Sequence, residues 1–266
     1  MIKALRRSLA EPRLTGVNVD SDDLIAVHRR ILEEKPMLNE VFREIYDLCR
    51  DADERRLEGD GLRIELGSGS SLFKAYYPDV ITSDVKSAPH LDRVLDAQAM
   101  DLPESSVRAF YGIHCFHHLP EPGRFFAELG RVLQPGGGCV LVEPYYGPLA
   151  GFFYRRVFDT EHFDPHQEGW NLDPAKVGSM SNANQALSYI VFKRDLERFE
   201  REFPNLKIVE RRRLHNYARY LLSGGLNFKQ LVPDVLAPII RGTERLLAPV
   251  DHPIALHHVV VLKKWS

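Results

Sequence analysis

The sequence predicts an α/β protein built on a mostly parallel sheet of seven strands. Two observations carry that prediction. Short apolar runs, several of them closed by an acidic residue or a glycine turn, recur between Leu62 and Glu143, with helix or loop between them. Such alternation calls for crossover connections and hence parallel neighbours. The first run also empties into Gly67-Ser68-Gly69, a bend after a strand that leaves backbone bare for a ligand. With 266 residues, 44% hydrophobic and 27% charged, the chain can bury one sizeable core and carry decorations on it.

From about Asp20 to Glu58 apolar residues return every three or four positions (Leu24, Val27, Ile31, then Leu38, Val41, Phe42, Ile45, Leu48), which is a helical rhythm. Ser21 with Asp22 and Asp23 can cap its start, and Pro36 should divide it into two helices. Gly59-Asp60-Gly61 then turns the chain. Strands are expected at Leu62–Leu66, Val80–Ser83, Arg93–Leu95, Ala109–Ile113 and Cys139–Val142, with an amphipathic helix around Phe125–Leu133 before the fifth. The aromatic, histidine-rich stretch from Tyr145 to about Asn171 is too long for a connector and should form a lid. Gln185–Phe203 reads as helix, Leu206–Val209 as a sixth strand and His258–Leu262 as a seventh. The domain plan is an N-terminal helical extension over residues 1–60 and a main domain over 61–266, with insertions at about 145–205 and 214–256. The apolar stretch 221–247 has two readings, a cap helix pair or an amphipathic surface that docks on lipid.

Charge and cysteine content narrow the class. The formal net charge is −2, so no bulk field favours nucleic acid, and Arg211-Arg212-Arg213 reads as a solvated face. Cys49, Cys115 and Cys139 are far apart, which gives no disulfide or zinc pattern and suits a reducing compartment. Residues Met1–Arg13 lack the apolar core of a secretory signal, and no stretch approaches the roughly 20 apolar residues that span a bilayer. A cytoplasmic protein without stable membrane insertion is expected, its oligomeric state left open.

Chemistry concentrates at the strand ends. Asp84 closes the second strand 17 positions after Gly67, where a carboxylate can accept from both hydroxyls of a ribose. Asp96-Ala97-Gln98 follows the third strand, where a carboxylate and a backbone N–H can read an adenine. Together with the glycine bend they favour an adenosine-containing cofactor. Further on, His117-His118-Leu119-Pro120-Glu121-Pro122 leads to Glu128-Leu129 and then to Arg131-Val132-Leu133-Gln134-Pro135-Gly136-Gly137-Gly138.

This set resembles the class I, Rossmann-like S-adenosylmethionine-dependent methyltransferases, over roughly Leu62 to Pro144. The resemblance implies a seven-stranded sheet with its last strand antiparallel, N-terminal helices and a helical cap, and S-adenosylmethionine as cofactor. It implies that Glu65 orders the loop at the methionine amino group, and that Gly67, Ser68 and Gly69 pack against the amino-acid moiety. Asp84 with Val85 would hold the ribose, Asp96 with Ala97 the adenine, and the backbone of His114 would face the methionine end. The chain departs from the family pattern at Ser71, where a third glycine is usual, and at Arg108, where an acid is common. The long stretch from Asp96 to Pro103 leaves Asp101 as a rival to Asp96.

Methyl transfer to a hydroxyl needs alignment and is helped by a general base. His114, His117 and His118 are the candidates, with Glu143, Tyr145, Tyr146, His162 and His166 expected on the acceptor side. The run Asp159–His166 matches no compact ligand set, so no metal is expected. The implied reaction is methylation of a small molecule, with O-methylation of a sugar or secondary metabolite favoured. The rivals are a non-catalytic S-adenosylmethionine-binding module and an NAD(P)-dependent oxidoreductase. Against the second, position 72 is leucine, so no full Gly-x-Gly-x-x-Gly is present.

Overall fold

The computed structural model describes residues 2–158, 161–175, 178 and 182–265. After a short helix α1 (Ile2–Leu9), helices α2 (Asp23–Glu34) and α3 (Pro36–Arg56) meet at Pro36, which occupies the first turn of α3 where its missing N–H costs nothing. Strand β1 (Leu62–Leu66), the one-turn helix α4 (Phe73–Tyr76), β2 (Val80–Asp84), β3 (Arg93–Val94) and β4 (Val107–Ile113) follow. Next come α5 (Pro122–Val132), β5 (Leu133–Pro144), α6 (Pro148–Arg156), α7 (Leu187–Tyr189), a π-helical turn at Ile190–Arg194, and α8 (Leu196–Glu202). Strand β6 (Leu206–Arg213), α9 (Tyr217–Leu222), α10 (Ala237–Leu247) and β7 (His257–Lys264) complete the chain.

The seven strands form one sheet in the order β3-β2-β1-β4-β5-β7-β6. Strands β1 to β5 pair in parallel, and β7 is antiparallel to both β5 and β6. Strand order reverses between β1 and β4, so their carboxyl ends diverge and leave a crevice, the usual ligand position in an open α/β sheet.

Two apolar layers flank the sheet. On one face Ile31, Leu38, Val41, Ile45 and Cys49 from α2 and α3 pack with Phe73, Tyr111, Val140 and Val261. The turn at residue 60 therefore separates two parts that share a core. On the other face Phe125, Phe126 and Leu129 of α5 join Phe192, Phe199 and the sheet residues Phe110 and Leu141. Strand β5 begins directly after α5. Its pairing with β4 jumps from Leu133 to Gly138, so the Pro135-Gly136-Gly137 segment bulges out of the ladder. A side chain at Gly138 would run into the Leu262 carbonyl of β7, which explains the glycine there.

Polar ties clamp the layers. Asp53 of α3 is fully buried and accepts from Arg63 Nε, Arg108 Nε and the Tyr111 hydroxyl, each at 2.8 Å. Arg108 is thus the partner of a buried carboxylate. Arg219 of α9, also buried, donates to Glu244 of α10 at 2.7 Å and through its fork to Glu44 of α3 at 2.7 Å. The basic run is engaged internally as well, Arg211 with the Phe192 carbonyl and Arg213 with Asp251. The stretch 221–247 divides: Leu221 packs on the core, whereas Val235, Ile239 and Leu246 are more than two-thirds exposed. Among the described residues no helix is long and apolar enough to cross a membrane.

Candidate functional site

A cavity of about 530 Å³ opens at the crevice between β1 and β4. Its strand-tip side is lined by Glu65, Gly67, Ser68, Gly69, Asp84, Val85, Asp96 and Ala97. The far side is lined by His28 of α2, His114, His117 and His118 after β4, Tyr154 of α6, Glu161, Tyr220 of α9 and His257 of β7. Helices from both ends of the chain thus roof one chamber.

The glycine bend is built for close approach. Gly67 and Gly69 both hold positive φ, +60° and +46°. A Cβ on Gly67 would lie 2.6 Å from Cys115 Sγ, so the loop after β1 fits against the loop after β4 only without a side chain. Asp84 fastens the bend from the next strand: its Oδ2 accepts from the Gly69 N–H at 2.9 Å and its Oδ1 from the Lys86 N–H at 3.1 Å. Beneath the bend Glu65 is buried, and among the described residues its Oε2 has no hydrogen-bond partner. Burial pushes its carboxyl up to about 7. A carboxylate oxygen left bare on a cavity wall calls for a donor, preferably a cation. Asp96 accepts from the Gln98 N–H at 2.8 Å, which shapes the loop after β3.

The histidines three positions apart behave oppositely. His117 is buried, with Nδ1 at 2.6 Å from Glu143 Oε2 and Nε2 at 3.2 Å from Glu161 Oε2. Burial opposes its charge, but the two carboxylates outweigh that and raise His117 to about 10. His117 is therefore held as an imidazolium at neutral pH and has no lone pair with which to take a proton. Glu143 also accepts from the N–H groups of Cys115 and Phe116 at 3.0 and 2.8 Å, which locks the loop after β4. His114 sits in a left-handed conformation, φ +52°, with its N–H donated to the Val142 carbonyl at 2.8 Å. Burial lowers it to about 4, so it is neutral, and among the described residues its Nε2 has no partner. Its ring lies 4.5 Å from that of His257, centroid to centroid.

The residues expected on the acceptor side lie elsewhere. Glu143 stands behind His117 as its partner. The chain leaving β5 folds back beside the approach to β7, with the Tyr145 N–H on the Leu256 carbonyl at 2.6 Å, so Tyr145 and Tyr146 pack against His258. His162 and His166 are exposed, and none of these five lines the cavity. Asp159 and Thr160 lie outside the described residues. Sequence reading passed over His28, Tyr154, Glu161, Tyr220 and His257 as lining residues. Only Glu161 carried a signal, being in the acid- and histidine-rich run that was read as a whole.

Residues 65–141 match the family model described as a methyltransferase domain. That stretch, from the end of β1 into β5, is similar to a methyltransferase domain. The chain's fold has solved likenesses. The geranyl diphosphate C-methyltransferase of Streptomyces coelicolor A3(2), in complex with Mg2+, geranyl diphosphate and S-adenosyl-L-homocysteine, superposes with a TM-score of 0.52 at 11% identity, over 89% of this chain and 84% of that one. The same enzyme with Mg2+, geranyl-S-thiolodiphosphate and S-adenosyl-L-homocysteine gives 0.50 at 12% identity, over 84% and 76%. At such identity the likeness concerns the fold alone, the sheet order and its helical layers. The match favours the methyltransferase reading over the nicotinamide-oxidoreductase one.

Proposed function

We propose that the chain is an S-adenosylmethionine-dependent methyltransferase acting on a hydroxyl of a small molecule, a sugar or a secondary metabolite. The observation that carries this is continuity. One cavity joins the strand-tip cleft of Glu65, Gly67 and Asp84 to a pocket walled by His28, His114, Tyr154 and Tyr220, and its volume lies in the range of small-ligand sites.

The residues fit S-adenosylmethionine. Glu65 offers a bare oxygen to an ammonium group, and Gly67, Ser68 and Gly69 offer backbone without obstruction to an amino-acid moiety. Asp84 and Val85 line the same cavity and would hold a ribose, and Asp96 with Ala97, also on its wall, would read an adenine. When bound, the cofactor supplies an electrophilic methyl group. The chain's own task is alignment. His114, neutral and unpartnered at Nε2 among the described residues, can accept a hydrogen bond from an acceptor hydroxyl and fix its lone pair. His117 serves by holding the loop that carries His114, through Glu143. The unpaired cysteines Cys49, Cys115 and Cys139 suit the cytoplasm.

Asp84→Ala is expected to weaken S-adenosylhomocysteine binding more than tenfold, about 1.4 kcal/mol or above, by calorimetry. An unchanged dissociation constant rejects the assignment. Glu65 sets a pH dependence. Its carboxyl, raised to about 7, must ionise to hold an ammonium, so affinity should rise about threefold from pH 6.5 to 7.5. Glu65→Gln should flatten that profile, and a wild-type profile already flat over that interval would remove Glu65 from the role. Turnover is read as S-adenosylhomocysteine released with a panel of hydroxylated acceptors. Cofactor binding with no turnover across a broad panel would favour a binding module.

A further inference from the structure

The pair of histidines after β4 meets a carboxylate that is distant in sequence. His117 Nε2 lies 3.2 Å from Glu161 Oε2, and His118 Nε2 lies 3.7 Å from Glu161 Oε1. The three ligand atoms fall within 4.8 Å of one another, and all three residues line the chamber. We propose that His117, His118 and Glu161 form a site for a divalent transition-metal ion, of the zinc, iron or manganese class, with its remaining position open to the acceptor chamber.

Three features point the same way. The first is spacing. A tetrahedral ion with bonds of about 2.1 Å keeps its ligand atoms about 3.4 Å apart; His117 Nε2 and Glu161 Oε2 are 3.2 Å apart, and one ligand atom from each of the three residues lies within 4.8 Å of the others. The second is asymmetry around His117. Its Nδ1 makes a short 2.6 Å bond to Glu143, whereas the Nε2 side stands off at 3.2 Å. A ligand imidazole whose other nitrogen donates to a carboxylate is the arrangement that fixes tautomer and ring plane at metal sites. The third is charge. Glu143 is fully buried and Glu161 nearly four-fifths buried, so they place two negative charges on either side of the His117 ring. A dication balances both while leaving His117 and His118 neutral, its entry displacing the Nε2 proton of His117 to solvent. Two imidazoles and one carboxylate suit borderline ions; magnesium and calcium prefer oxygen throughout.

The scaffold holds the ligands in place. The Asn184 N–H donates to the His117 carbonyl at 3.0 Å, and Gln185 donates from its backbone to the His162 carbonyl at 2.9 Å and from its side chain to the Glu161 carbonyl at 3.3 Å. Adjacent residues thus tie the segment bearing Glu161 to the segment bearing the histidines. That the open position takes an acceptor oxygen rests on the methyl-transfer reading; the metal site itself does not.

The test uses the full chain, stripped with a chelator and titrated with Zn2+ by calorimetry. One ion per chain is expected. His118→Ala and Glu161→Gln should each weaken it at least a hundredfold while keeping S-adenosylhomocysteine binding, and His162→Ala/His166→Ala should leave it unchanged. Loss of Zn2+ binding in the His162/His166 variant alone, or full retention in both ligand variants, overturns the proposal. As a reading independent of variant folding, Cu2+ is loaded into the wild-type chain and its electron spin-echo modulation recorded. Two coupled imidazole nitrogens are expected. Their absence, or the absence of any bound ion, overturns the site even if methyl transfer is confirmed.

Discussion

Replacing Arg219 with alanine is expected to destabilise the protein by about 3–5 kcal/mol, the cost of leaving a buried carboxylate without its partner. Arg219 and Glu244 are 2% and 1% exposed. Besides the side-chain bond, Glu244 Oε1 accepts the Arg219 N–H at 2.8 Å, and Glu40 of α3 adds a third carboxylate at 3.1 Å. The guanidinium is thus the common hub of α3, α9 and α10, the first two of which line the chamber through Phe42, Tyr46 and Tyr220. Arg219→Lys should fall between the parent and the alanine variant, since a point charge cannot serve three carboxylates from one plane. Denaturant midpoints measure the effect, and a loss under about 1 kcal/mol for the alanine variant would refute the hub.

Gly67→Ala should damage both stability and cofactor binding. The left-handed conformation costs a side chain about 1–2 kcal/mol. The overlap with Cys115 Sγ costs about 1–3 kcal/mol more, giving about 2–5 kcal/mol in all. S-adenosylhomocysteine affinity should fall more than tenfold, because relief of the overlap moves the bend that Asp84 anchors. Adding Cys115→Ala should recover the steric part of the stability and leave the backbone part. Parent-like stability in Gly67→Ala would mean that the loops after β1 and β4 are not in contact.

The sheet was largely legible because strand ends carry punctuation. Leu62–Leu66 appears with the expected bounds, and Pro36 divides the first helices where a missing N–H dictates. The antiparallel last strand came from the family resemblance and agrees with the pairing of β7. Where tertiary packing overrides local signals, the reading blurred. Gln185–Phe203 reads as one helix, but a π-helical turn interrupts it. Ile190, Val191 and Phe192 all turn into the core while Arg194 reaches the carbonyls of Pro165 and Gln167.

The chamber was legible on its cofactor side, where short motifs follow consecutive strands, and not on the other. His28, Glu161, Tyr220 and His257 come from four separate segments that meet only in three dimensions. Nor can residue type separate His114 from His117. One is held neutral by burial, and the other is held charged by carboxylates 26 and 44 positions away along the chain.

The insertion of β7 between β5 and β6 governs how the molecule must assemble. A nascent chain that has emerged as far as Asp251 already carries the glycine bend, the acids and the histidine pair, yet β6 has no neighbour on which to dock, because its hydrogen-bonding partner is still to be made. Synthesis from the N-terminus therefore leaves β5 with an open edge until the final segment arrives, and the wall contributed by His257 closes last.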